Sequence, residues 1–73
     1  MTDRQNEIFD KLVEFIEING YTPTIREFGD YVGLNSSATI QFYFKLFEKK
    51  GLIKRINNRV IKILEEENEY IKR

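Results

Sequence analysis

The stretch that decides the fold runs from Thr24 to Ile53 and reads TIREFGDYVGLNSSATIQFYFKLFEKKGLI. Apolar residues recur on both sides of Gly33 with the spacing of a helix. Gly33 ends the first segment, and Asn35-Ser36-Ser37 supplies the side-chain oxygens that begin a second helix. Two short helices joined by a glycine-bearing turn are typical of a helix-turn-helix.

Another helix is predicted before this stretch. Thr2 and Gln5 have the spacing of a capping box, and Asn19-Gly20 is a helix stop, because glycine readily adopts the left-handed conformation of a C-terminal cap. Thr24 and Glu27 form a second capping box, which begins the next helix after Pro23. The apolar positions of the first helix are Ile8, Phe9, Leu12, Val13, Phe15 and Ile16.

The third helix is predicted from about Ser37 to Lys50, ending at Gly51. A spacing of about 100° per residue directs Ile40, Phe44 and Phe47 inward, with Tyr43 at the edge. The opposite, outer face carries Ala38, Phe42, Lys45 and Lys49, flanked by Thr39 and Gln41. This outer face is small, polar and basic except for Phe42.

Two β-branched segments, residues 52–56 and 59–64, surround Asn57-Asn58 and predict a hairpin with a two-residue turn. The expected fold is mainly α with a small β-hairpin, a three-helix winged helix-turn-helix over residues 1–64. Residues 65–73 are a charged C-terminal tail, either helical or disordered. The commonest use of this architecture is to place the third helix in the major groove of DNA.

Composition narrows the function further. The 73 residues include neither histidine nor cysteine and form no phosphate-cradling glycine loop, so an enzyme, a cofactor, a metal site or a small-molecule ligand is not expected. Without a signal peptide or a long apolar segment, we expect a cytoplasmic protein with no membrane partner.

The net charge is zero, but the charges are unevenly distributed. Residues 1–40 hold three basic and seven acidic side chains, residues 41–64 hold seven basic and one acidic, and the last nine hold two basic and four acidic. A local basic patch, not the molecular total, determines whether a domain attracts DNA. The third helix and the hairpin are therefore the expected DNA-binding side.

Phosphate contacts are predicted at helix N-termini and at cations of the third helix and the hairpin. These residues are Thr24, Ser37, Lys45, Lys49, Lys54, Arg55, Arg59 and Lys62. The hydroxyl residues could equally serve only as caps, and any single lysine could be ordinary solvated surface. Phe42 could touch thymine methyl groups or bury itself in a protein partner, and the groove is favoured.

The sequence TDRQNEIFDKLVEFIEINGYTPTIREFGDYVGLNSSATIQFYFKLFEKKGLIKR resembles the N-terminal DNA-binding domain of LexA, the bacterial SOS repressor. The similarity rests on Thr-x-Arg-Gln at the start, Gly-Tyr-x-Pro-Thr, Arg-Glu, Val-Gly-Leu followed by Ser-Ser, and Lys-Gly-Leu-Ile, and it covers about residues 2–64. It implies a repressor that binds a palindromic operator as a homodimer. It also implies base contacts at Ser36, Ala38, Thr39, Gln41 and Phe42.

Two departures from the resemblance matter. LexA proteins continue into a self-cleaving peptidase domain that drives dimerisation, and no such domain lies in this sequence, so we do not expect autoproteolysis from it. Whether the chain is a fragment or a standalone regulator is left open. An aromatic residue is unusual at the position of Phe42, so the operator should differ from known SOS boxes.

The alternative function is a protein-interaction module, such as a phage-encoded antirepressor, that uses Phe42 and the tail.

Overall fold

The computed structural model describes residues 1–56 and 59–64, without the side chains of residues 59–61. Three helices, α1 (Asp3–Asn19), α2 (Ile25–Val32) and α3 (Ser37–Lys49), precede an antiparallel pair of strands, β1 (Ile53–Ile56) and β2 (Arg59–Ile63). The predicted fold class is therefore confirmed. The predicted turn at residues 57–58 and the tail at residues 65–73 lie outside the described residues.

Local side-chain hydrogen bonds set the helix starts. The Oγ1 of Thr2 accepts from the backbone N–H of Gln5, whose Oε1 accepts from the N–H of Thr2. Thr24 and Glu27 make the same reciprocal pair, at 3.0 and 2.9 Å. Both predicted capping boxes are thus confirmed. The third helix ends one residue earlier than predicted, at Lys49.

The core is a cluster of apolar side chains from every helix and from β1. Phe9 meets Phe47 edge to face at 5.2 Å, and Phe28 stacks on Phe44 at 5.5 Å. Each such aromatic pair contributes about 0.5–1.5 kcal/mol beyond the burial of its area. These contacts hold the inner face of α3 against α1 and α2, so its opposite face must point away from the core. The fully buried members are Ile8, Phe9, Leu12, Phe28, Ile40, Phe44, Phe47 and Ile53.

The turn between α2 and α3 depends on a close backbone approach at Gly29. The N–H of Leu34 donates to the carbonyl of Gly29 at 2.8 Å, and a Cβ on Gly29 would lie 2.8 Å from the carbonyl oxygen of Leu34. Gly33 has a φ of +77°, which permits the chain to reverse. Leu34 then packs against the core.

The hairpin is anchored to α3 through its first strand. The N–H of Leu52 donates to the carbonyl of Phe47, and the N–H of Leu64 donates to the carbonyl of Leu52. Ile53 is buried, whereas Lys54 and Lys62 on the other side are exposed. Within the described part of the chain, no helix combines the length and the apolar character needed to cross a bilayer.

Candidate nucleic-acid interface

The outer face of α3 is open along its length. Ser37, Ala38, Phe42, Lys45 and Lys49 are all exposed. Thr39 and Gln41 are half-buried on its two flanks, as the helical spacing predicts. The face therefore presents small and polar side chains near the N-terminus of α3 and cations towards its C-terminus.

Phe42 is the large apolar side chain of this face, and 55% of it is exposed. Its ring meets Tyr43 edge to face at 5.6 Å, and Tyr43 in turn stacks on the buried Phe47 at 6.1 Å. The ring is thus supported from one side by the core and open on the other. A ring held in this way loses little conformational freedom when it contacts another surface.

Hydroxyl groups stand at the N-termini of α2 and α3. Ser36 is the N-cap of α3, and its Oγ accepts from the N–H of Thr39 at 3.2 Å. Thr24 is the N-cap of α2. Each capping hydroxyl uses an acceptor position and keeps its hydrogen to donate. Ser37 is exposed beside Ser36. Thr24 and Ser36 therefore serve as caps, and their hydroxyl hydrogens remain free to donate to an anion.

A cleft of about 490 Å³ lies between α2 and the start of α3. Its lining includes Ser36, Ser37 and Gln41 from the predicted site, together with Asn35, Arg26 and the acidic Asp30. Arg26 is an exposed cation that the sequence analysis did not place among the contacts. Its position in the first turn of α2 was the available signal, because the helix dipole disfavours a cation there unless another interaction needs it.

The hairpin contributes further cations to the basic segment that begins in α3, residues 41–64. Lys54 and Lys62 are both exposed, and their Cα atoms are paired directly across the two strands. Like charges opposite one another destabilise a hairpin, and an anion between them would relieve the repulsion. The side chain of Arg59, another predicted phosphate contact, is outside the described residues.

Arg55 corrects one prediction. Only 6% of its side chain is exposed, its Nε lies 3.8 Å from Oε1 of Glu48, and its guanidinium carbon lies 6.0 Å from the centre of the Phe44 ring. A side chain buried in this way is not available to a phosphate. The prediction failed because β1 alternates, and Arg55 falls on the same side of the strand as the buried Ile53.

Comparison with known proteins identifies the family of the chain. A sequence model of the family described as LexA DNA binding domain matches residues 1–60. The chain belongs to the LexA DNA-binding domain family. It is 43% identical to the LexA repressor of Exiguobacterium sibiricum in an alignment of length 77 that covers 97% of this chain. It is 41% identical over 70 residues to the LexA repressor of Halalkalibacterium halodurans, covering 93% of this chain.

The match takes in only part of each relative. The aligned region is 38% of the Exiguobacterium protein and 34% of the Halalkalibacterium protein, so the chain spans about a third of the curated relatives it matches. The similarity therefore concerns the DNA-binding domain.

Helix α1 of this LexA-family domain carries more acidic than basic side chains. On α1, Arg4 pairs with Glu7 at 3.2 Å and Lys11 with Glu14 at 3.7 Å, so these two cations already face carboxylates. A shallow depression of about 330 Å³ between α1 and α2 is lined by aromatic rings together with Glu27 and Asp30. Carboxylates repel phosphate, so this depression is a poorer match for the DNA backbone than the basic outer face of α3, although Asp30 also lines the cleft beside α3.

Proposed function

We propose that this chain is a sequence-specific double-stranded DNA-binding transcriptional regulator, most simply a LexA-like repressor. The observation that carries the proposal is the open outer face of α3, small and polar at its start and continued by exposed lysines on α3 and the hairpin. Family membership supports the same function. This function requires neither a catalytic step nor a cofactor.

In this proposal α3 enters the major groove with its N-terminal half against the base edges. The residues assigned to bases are Ser36, Ala38, Thr39, Gln41 and Phe42. The hairpin and the two capped helix ends lie over the backbone, where contacts fix the position of the domain without reading sequence. The residues assigned to phosphates are Thr24, Ser37, Lys45, Lys49, Lys54, Arg59 and Lys62, and we add Arg26.

The proposed operator is a palindrome occupied by two copies of the domain. A single domain with one half-site binds weakly, and two half-sites about 34–36 Å apart bring two recognition helices to one face of the DNA. The relatives are named as repressors, which supports repression as the outcome. Whether the two copies associate before they reach DNA is a separate property, which sedimentation of the free protein measures.

Selection from random duplex DNA tests the proposal. The purified chain is incubated with the pool at low and at moderate salt, and retained duplexes are sequenced. We expect an enriched palindrome whose retention falls with Gln41→Ala and with Lys45→Ala. Retention without any enriched sequence would contradict sequence-specific binding, and no retention even at low salt would contradict DNA binding altogether.

One observation favours a second candidate, a protein-interaction module. An aromatic side chain that is 55% exposed is also a suitable anchor for a protein partner. Binding to DNA releases counterions and depends steeply on salt, whereas binding through an apolar anchor does not. A partner captured through Phe42 with little salt dependence, together with no affinity for DNA, would favour this candidate.

A further inference from the structure

The types of side chain on the outer face of α3 suit some bases better than others. Resting on the function proposed above, we propose that each operator half-site is read at A·T base pairs, with Gln41 on adenine and Phe42 with Ala38 on a thymine methyl group.

Residues 36–42 read Ser-Ser-Ala-Thr-Ile-Gln-Phe and include no charged side chain. In the major groove, guanine is read best by arginine or lysine, and cytosine by a carboxylate. The first cation of α3 is Lys45, about 12 Å along the helix axis from Ser37 at 1.5 Å per residue. The N-terminal residues of a recognition helix contact the base edges, so Lys45 lies towards the backbone. The part of α3 that meets bases therefore lacks the usual readers of G·C.

Gln41 supplies the complementary preference. Its side-chain amide offers a donor and an acceptor, which match N7 and N6 of adenine. Gln41 is half-buried and lines the cleft together with Ser36 and Ser37. The cleft therefore restricts the directions open to this side chain, and a restricted amide loses less freedom when it makes two hydrogen bonds at once.

Ala38 and Phe42 form the apolar part of the reading surface. They are four residues apart, so they are neighbours on one face of α3, and both are exposed. The 5-methyl group of thymine is the apolar feature of the major groove that such a surface fits. Because Tyr43 supports the Phe42 ring, the ring can cover a methyl group without first becoming ordered. The lysines beside this face complement the charge of the duplex and favour DNA over an apolar protein partner.

The test replaces single thymines by uracil in the best duplex from the selection experiment. Uracil removes only the methyl group and keeps the base pairing. For the wild-type chain, we expect one thymine in each half-site to be sensitive to this replacement. Changing that thymine to uracil should lower the affinity about fourfold, which is the effect of losing the burial of one methyl-sized group. In Phe42→Ala most of this difference between thymine and uracil should disappear, since only Ala38 remains beside the methyl group. Gln41→Ala should lose about tenfold or more in the preference for A·T at a neighbouring position.

Tyr21→Ala is the matched control for Phe42→Ala. Tyr21 is 51% exposed and also packs edge to face on a second aromatic ring, Phe15, but it lies beside the acidic depression. The control should keep the thymine-to-uracil ratio of the wild type. Because the readout is a ratio within one protein, a uniform loss of affinity does not imitate the expected result as long as the variant still prefers the selected duplex to random DNA.

Two outcomes would overturn this inference while leaving sequence-specific binding intact. One is an enriched half-site in which Gln41 and Phe42 act at G·C pairs. The other is a wild-type affinity that no uracil substitution changes. If no sequence is enriched at all, the proposed function fails instead, so the two failures are distinguishable.

Discussion

Lys54 and Arg55 are neighbours in β1 with the same charge, but the structure gives them different surroundings. Lys54 is exposed opposite Lys62, whereas Arg55 is packed between Phe44 and Glu48. At the scale of single residues, replacing either cation by alanine should therefore have different effects. The loss of Lys54 should affect DNA binding, and the loss of Arg55 should affect the stability of the fold.

Lys54→Ala should weaken DNA binding. It should also make the negative slope of log K against log salt shallower by about 0.9, the value for one lost phosphate contact. Its free energy of unfolding should change by less than about 0.5 kcal/mol, as is usual for an exposed site. Arg55→Ala should lower the free energy of unfolding by about 1–2 kcal/mol, through lost packing and lost attraction to Glu48 and Phe44, and should keep the salt slope. Chemical denaturation and a salt titration measure both quantities. A shallower salt slope in Arg55→Ala, with little change in its free energy of unfolding, would show that Arg55 leaves its buried position to contact the DNA.

Tyr31 predicts a dependence of stability on alkaline pH. Its hydroxyl donates to a carboxylate oxygen of Glu14 across α1 and α2, and this hydrogen bond raises the pKa of Tyr31 above its ordinary value. A pKa raised in the folded state contributes stability below the unfolded value, near 10, and loses it as pH rises towards the folded value. The Tm difference between wild type and Tyr31→Phe should therefore be constant from about pH 7 to 9 and should shrink above about pH 10.

Comparing the two proteins at each pH removes the titration of the other groups, since they share it. Glu14→Gln keeps an acceptor for the phenol but removes the negative charge, so the same pH dependence should become weaker. A Tm difference that stays constant to pH 11 would mean that Tyr31 does not hold its proton through Glu14.

At the scale of elements, Gly29 distinguishes helix propensity from packing. In an isolated helix, replacing glycine by alanine stabilises by about 1 kcal/mol. In α2 the new Cβ would lie 2.8 Å from the carbonyl oxygen of Leu34, which belongs to the backbone of the turn. Gly29→Ala should therefore destabilise the domain by about 1–3 kcal/mol, because the turn or α2 must move.

Thermal unfolding of Gly29→Ala checks this expectation. Gly29→Ser is a useful second variant, since it places the same Cβ in the turn and should be at least as destabilised. A gain of stability in the alanine variant would show that the helix-turn-helix has room to relax, and that propensity controls α2.

The elements themselves were largely predictable from local sequence. Both capping boxes involve residues three apart, so Thr2 with Gln5 and Thr24 with Glu27 carry their signal within one turn. The close approach at Gly29 was not predicted, because it depends on how the chain returns after Gly33. Contacts between a helix and the turn that follows it are decided by packing, which residue spacing alone does not show.

At the scale of the whole molecule, binding should depend on local charge although the net charge is zero. Lys45, Lys49, Lys54 and Lys62 are exposed on α3 and the hairpin. Together with Arg26 and Arg59, the six cations assigned to phosphates would give a slope of about −5.4 per domain. Measuring the affinity for one half-site duplex between 50 and 200 mM salt tests this. The variant Lys11→Ala removes a cation of α1 that lies 3.7 Å from Glu14 and should leave the slope unchanged. A slope near zero would mean that these lysines do not meet the backbone.

The sequence by itself determined the helix boundaries to within one residue, the inward face of α3 and the segregation of charge, because each depends on neighbours within a few residues. The tertiary structure decided which side chains share a surface. It buried Arg55 beside Glu48, paired Lys54 with Lys62, and placed Arg26 in one cleft with Gln41. These relations depend on strand register and on the angle at which α2 meets α3. Both are set by the collective packing of the core, so they emerge only when distant parts of the chain come together.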